Sequence, residues 1–257
     1  MISRLTAITL NTFREAVRDR VLYNLILFVL LLVASAPLFG QISIGMERLI
    51  LVNVGLSSIS LFGVIIAIFI GIGLVSKEIE KKTLYTILSR PVRRWEFIVG
   101  KYLGLIMTLV VNTALMTAGF YIALMITNGL HKTDALLLVA IYFTVLQFLI
   151  VTALTVLFST FSSPIFSAIF AFALFVIGTF AEDLKNFAAI SKGAAKLLAT
   201  GAAYLMPNFA SLNVIAQTAH DQGVGGRLIL FNTLYAMLYS ASAVVAAVLI
   251  FERRNLK

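Results

Sequence analysis

The sequence predicts an all-α integral membrane protein: six transmembrane helices, an amphipathic interfacial helix ahead of the first, a short cytoplasmic helix between the second and third, and a helical outer segment before the last. Three observations predict it. Hydrophobic residues make up 61% of the 257-residue chain and charged residues only 12%, with a mean hydropathy of +1.03, far more apolar than the surface of a soluble domain tolerates. Six charge-free runs come close to or exceed the roughly 20 residues that a helix needs to cross a hydrocarbon core. The remaining charges collect between those runs, with Lys and Arg mostly on one side.

The first 20 residues are the interfacial helix. At about 100° per residue, Ile2, Leu5, Leu10, Phe13, Ala16 and Val17 fall on one side and Arg4, Arg14, Glu15, Arg18 and Asp19 on the other, with Ile8 and Arg20 breaking the pattern. The spans follow at Val21 to Gly40, Leu51 to Val75, Tyr102 to Asn128, Ala135 to Phe158, Ser163 to Phe180 and Leu228 to Phe251. Val21 to Val33 followed by Ala34, Ser35 and Ala36 mimics a signal peptide, but 20 preceding residues that include acids make a long leader, so an uncleaved span is expected. "STFSSP", ending at Pro164, marks a tight turn between the fourth and fifth spans. In the outer segment, 181–227, Phe187, Ile190, Ala194, Leu197 and Leu198 recur at helical spacing with Lys185, Lys192 and Lys196 largely off that stripe, which predicts a helix packed in the outer interface. Pro207 breaks the chain, and "HDQGVGG" leads into the last span. Repeats and a second domain are absent from the sequence, so residues 1–257 are read as one transmembrane domain, with 76–101 as its cytoplasmic segment.

Orientation follows from the basic residues. With the N-terminus inside, 14 Lys and Arg fall on inner segments and 6 on outer ones, so both termini and 76–101 are expected in the cytoplasm of a multi-pass cytoplasmic (inner) membrane protein. The net charge of +9 is accounted for by this bias, and no nucleic-acid partner is expected.

Composition and spacing exclude several chemistries. No Asp, Glu, Lys, Arg or His lies within the six runs, which disfavours a proton-coupled carrier, because proton relays keep ionisable groups in the membrane. The chain has no cysteine and only two histidines, His131 and His220, both in outer loops and neither at metal-ligand spacing, so loop hydrogen bonding is their expected role. "VGKYLG" is not a phosphate loop: Trp95 stands where the first glycine belongs and Tyr102 follows Lys101. No catalytic, cofactor or metal site is expected in this chain, and uphill work needs an energy source on another subunit. Asn112, Gln147 and Asn232 are polar groups in the spans. They are candidates for lining a pathway, although interhelical hydrogen bonding is the more economical reading.

The segment "SKEIEKKTLYTILSRPVRRWEFIVGK", 76–101, holds ten charged residues. Leu84, Ile87 and Leu88 fall at i, i+3 and i+4, so a short helix would carry a small apolar ridge flanked by Glu78, Glu80, Lys81 and Lys82. Pro91 stops it. Beyond it, Arg93 and Arg94 can reach lipid phosphates or a partner's carboxylates, Trp95 suits the interfacial belt, and Gly100 with Gly104 gives a small-xxx-small start to the third span. On these residues alone an ordinary positive-inside loop accounts for the block.

The stretch "KEIEKKTLYTILSRPVRRWEFIVGKYLG" nevertheless resembles the signature of membrane subunits of ATP-binding-cassette (ABC) exporters of the ABC type 2 permease family. Glu78, Glu80, Thr83, Leu84, Leu88, Ser89, Pro91, Arg94, Gly100 and Lys101 stand in the places of that signature, and Lys82 replaces its glycine before the Thr. Six spans, the N-terminal helix, the long outer segment and Pro207-Asn208 are similar to the family as well. The resemblance implies a permease subunit of an ATP-driven transporter, expected to export. It implies two permease chains, identical or different, around a pathway. It also implies a cytoplasmic ABC ATPase dimer, which carries ATP and Mg, docked on a coupling helix at Glu78 to Leu88. Glu78, Glu80, Thr83, Leu84, Ile87, Leu88, Pro91 and Arg94 are the residues so implicated. Two rival expectations stand beside it: a secondary carrier or channel without an ATPase, and a non-transport scaffold worked mechanically by an ATPase partner.

Overall fold

The computed structural model describes residues 2–18, 26–27, 30–31, 46–80, 93–127, 129 and 131–253. Helix α1 is Ile2–Arg18, α2 Glu47–Glu80 and α3 Arg94–Thr127, and a 3-10 turn at Lys132–Leu136 leads into α4, Leu137–Ser159. Then come α5 (Pro164–Thr179), α6 (Ala181–Ile190), α7 (Ala194–Leu205), a 3-10 turn (Ala210–Leu212), α8 (Ile215–Ala219) and α9 (Gly226–Arg253). Among the described residues there is no strand, and four helical stretches are long and apolar enough to cross a membrane: Arg48–Gly73, Arg94–Ile126, Lys132–Ser159 and Gly226–Arg253.

The predicted second, third, fourth and sixth spans thus stand as helices, while the predicted first span, 21–40, lies outside the described residues except for 26–27 and 30–31. The fifth differs from expectation. Helix α5 has 16 residues, about 24 Å at 1.5 Å per residue, short of a hydrocarbon core of about 30 Å. It reaches spanning length only together with α6, from which it is bent by 58°. Pro164 opens α5 at its first turn, where the missing N–H costs nothing. The single outer helix expected across Phe187 to Leu198 is two helices. The chain reverses between them at Gly193, whose φ of 64° is costly for a residue with a Cβ.

Helix α4 is the centre of the bundle. Sixteen of its 23 residues are buried, and it packs against α2, α3, α5 and α9, so a helix that is apolar all round finds apolar surface on every side. Glycines on α2 let the large rings in. A Cβ on Gly63 would lie 2.0 Å from Phe148 Cζ, and one on Gly55 2.4 Å from Phe120 Cε2. Hydroxyls in the helices are mostly satisfied locally: Thr108, Thr113, Thr144, Thr155 and Ser240 each donate to the carbonyl four residues back, which hides their polarity from lipid.

The two ends of the bundle are tied differently. At one, Arg48 on α2 reaches both His131 Nδ1 and the Asp134 carboxylate, the His131 N–H donates to Asp134 Oδ2 at 2.7 Å, and Tyr121 on α3 donates to the Asp134 carbonyl at 2.7 Å. These bonds gather α2, α3 and the start of α4. Helix α5 ends on this half of the bundle, where Thr179 lines one recess with Ser57 and Thr144. At the other end sits α1, whose main partner is α3.

Candidate functional site

The sequence places the chemistry-bearing block between α2 and α3. Helix α2 runs as one element past its apolar stretch to Glu80, about 51 Å at 1.5 Å per residue, so the backbone positions of Glu78 and Glu80 belong to its last turn. Thr83, Leu84, Ile87, Leu88 and Pro91 lie outside the described residues. Arg93 caps α3. Its N–H donates to Glu96 Oε2 at 3.0 Å, and Glu96 is buried; this is the N3-to-N-cap half of a capping box, worth an orphan donor at a helix start.

Around that first turn three other elements converge. Arg94 Nη1 donates to the carbonyls of Phe251 at 3.2 Å and Glu252 at 2.9 Å, so a guanidinium closes the C-terminus of α9, where carbonyls lack helical partners and the dipole end is negative. Arg94 thus ties α3 to the last helix. Phe97 stacks on Phe251 with centroids 5.9 Å apart. Lys101, 2% exposed, lies 3.5 Å from Glu15 on α1, its ammonium 5.7 Å from the centroid of the Phe97 ring, which gives a buried cation both a counter-charge and a π face.

The seat of α1 is made by glycine. A Cβ on Gly100 would lie 2.6 Å from Ile8 Cγ2, so the small-xxx-small pair Gly100 and Gly104 admits α1 against the α3 backbone. Thr12 and Ala16 are buried there and Ile8 is half-buried, whereas Leu10 is 44% exposed. The helical-wheel assignment is corrected at these two residues: close approach selects the Ile8, Thr12, Ala16 stripe, and Leu10 turns away from it.

The span polar residues separate. Gln147 lines a recess of ≈ 200 Å³ whose polar wall is Ser57, Ser60, Thr144, Thr179 and Asn213, with Phe175 and Phe209 among its apolar walls. Gln147 Nε2 donates to Ser60 Oγ at 3.2 Å. The loop after α7 makes one wall: the Phe209 N–H donates to the Gly178 carbonyl at 3.0 Å, and a Cβ on Gly178 would be 2.3 Å from the Pro207 carbonyl oxygen. Asn232 does not line the recess; its Nδ2 donates to the Ser211 carbonyl at 3.2 Å, and Tyr235 OH accepts the Asn208 N–H at 2.8 Å, so α9 holds this loop in place. Asn112 is apart from both, buried, its Oδ1 without a hydrogen-bond partner among the described residues. The recess holds no charged side chain; it offers hydroxyls and amides to an uncharged polar group.

A family model described as ABC-2 family transporter protein matches residues 6–256. The chain belongs to this family. The ABC-2 protein is accordingly a multi-pass membrane permease subunit of an ABC transporter, a class that works with an ATPase subunit. No curated protein matches the chain. The 76–101 block points to a permease through its family resemblance, but the sequence gives no sign of the partners of Arg94 and Lys101, because Phe251, Glu252 and Glu15 lie far from them along the chain. The Arg48, His131 and Asp134 cluster is hidden for the same reason.

Proposed function

We propose that this ABC-2 permease is half of the membrane part of an ATP-driven exporter, paired with a second permease chain and worked by two separate cytoplasmic ATPase subunits that carry ATP and Mg. Residues Glu78 to Leu88 are the docking lever. Closure of the ATPase pair on ATP displaces the lever, and the permease pair rocks between inward- and outward-facing states. The α1 end of the bundle is then the cytoplasmic one.

The observation that carries this reading is the bracing on either side of the lever. The α2 helix runs unbroken into Glu78 and Glu80, and α3 restarts at Arg94, bolted to α9 through the Phe251 and Glu252 carbonyls and to α1 through Lys101 and Glu15. A push on the intervening segment therefore reaches four helices through short, directional contacts rather than dissipating in a loose loop. The uncharged recess beside Gln147 supports a pathway that handles a polar, uncharged part of the cargo.

Replacing Leu84 and Leu88 by Asp removes the apolar ridge without touching the bracing. The expected result is loss of ATPase co-purification with normal permease insertion. A variant that retains the complex and its ATP hydrolysis would overturn the assignment of the lever.

A further inference from the structure

The α6–α7 hairpin buries its small residues and shows its large ones. Its helices meet through alanine: Ala188, Ala199 and Ala203 are buried, whereas Phe187, Ile190, Leu197 and Leu198 are 52–81% exposed. A helix pair that stood in water would bury the bulky side chains first, since each is worth several times an alanine. The hairpin begins one residue beyond α5, and the 58° bend there swings α6 off the axis of the helix that leads to it.

The polar groups lie opposite the bulky ones. A groove of ≈ 250 Å³ between α6 and α7 is lined by Lys185, Lys196, Thr200 and Tyr204 over a floor of Ala188, Ala189 and Ala203. At about 100° per residue, Phe187 and Ile190 point roughly 140–160° away from Lys185 and Leu198 roughly 160° away from Lys196, with Leu197 on the flank at roughly 100°. Neither lysine is in an ion pair among the described residues. The hairpin's acids, Glu182 and Asp183, sit in the first turn of α6 and do not line the groove. Lys192, in the reversal before Gly193, is exposed and adds a third positive charge.

The geometry points to a binding site for the phosphate headgroup of an anionic phospholipid in the groove between α6 and α7. The hairpin lies along the interface with Phe187, Ile190 and Leu198 in the acyl region beneath. Amphipathic hairpins of this polarity settle at the headgroup boundary, and lysine extends its apolar stem through that boundary to reach phosphate. Two lysines, a hydroxyl and a phenol lining one groove supply charge and hydrogen-bond donors to a phosphodiester. The site is independent of the ATPase and of the lever at Glu78 to Leu88.

The test uses the full chain in nanodiscs of phosphatidylcholine with or without phosphatidylglycerol. Because the chain has no cysteine, Leu198→Cys, on the face opposite the groove, takes a single spin label. The expected result is a label accessible to oxygen and shielded from a water-soluble nickel reagent. Native mass spectrometry should show retained phosphatidylglycerol, weakened about 10- to 30-fold in Lys185→Gln/Lys196→Gln, restored in Lys185→Arg/Lys196→Arg and unchanged in Lys132→Gln. Millimolar inorganic phosphate should not displace the lipid. Unchanged retention in the glutamine variant overturns the site, and so does a label that meets the nickel reagent. Full displacement by inorganic phosphate assigns the groove to free phosphate and overturns the lipid reading. A label shielded from both reagents means that protein covers the face, which overturns the lipid reading as well.

Discussion

A Cβ added at Gly104 would meet Thr12 Cβ at 2.6 Å and the Thr9 carbonyl oxygen at 2.8 Å. The second contact is with backbone, which cannot turn aside as a side chain can. Gly104→Leu should therefore lift α1 from α3 at a cost of about 1–3 kcal/mol, the usual range for overpacking, and limited trypsin should cut at Arg14 faster than in the parent. An unchanged cleavage rate would show that α1 is held by something other than this seat. In the sequence the Gly100 and Gly104 pair is visible as a packing motif, but not its occupant, because a small-xxx-small pattern says how near a backbone can come and not which one comes. Lys101 is visible in the same way. Its place in the signature marks it, while Glu15, on an element of its own near the start of the chain, gives no local sign of being its partner.

Helix lengths show what an apolar run measures. The run Leu51 to Val75 marks the part of α2 that is free of charge, yet the helix extends at both ends, from Glu47 to Glu80. Charged residues are good helix formers and continue the backbone hydrogen bonding into the polar layer. The hairpin is legible as helical but not as two helices: an apolar stripe at 3.6-residue spacing runs on through Ser191, Lys192 and Gly193, and only the glycine signals a reversal. The end of α9 carries still less, since its partner is a side chain on α3. Arg94→Gln removes the guanidinium from the Phe251 and Glu252 carbonyls and should loosen the last turn of α9 by about 1–2 kcal/mol. Faster hydrogen exchange confined to the last turn of α9 is the expected reading; protection equal to the parent would mean that the Phe97–Phe251 stack alone holds this end.

At the scale of the whole molecule, the reading of an all-α membrane protein needs only composition and run lengths, because a bilayer admits few architectures. The assembly requires a further measurement. Two 28.1 kDa permease chains with two ATPase subunits are the expected stoichiometry by native mass spectrometry of the complex purified from membranes, and a lone chain with one ATPase would contradict a paired pathway. The α1 seat bears on how such a chain is made. Thr12 leaves the ribosome some 90 residues before Gly104, about 5–18 s at 5–20 residues per second, so α1 has no dock until the α3 span is in the membrane. Its amphipathic face gives it a lipid surface to wait on during that interval. Helix α1, translated before its dock, is thus the clasp that closes only after the α3 span is in place.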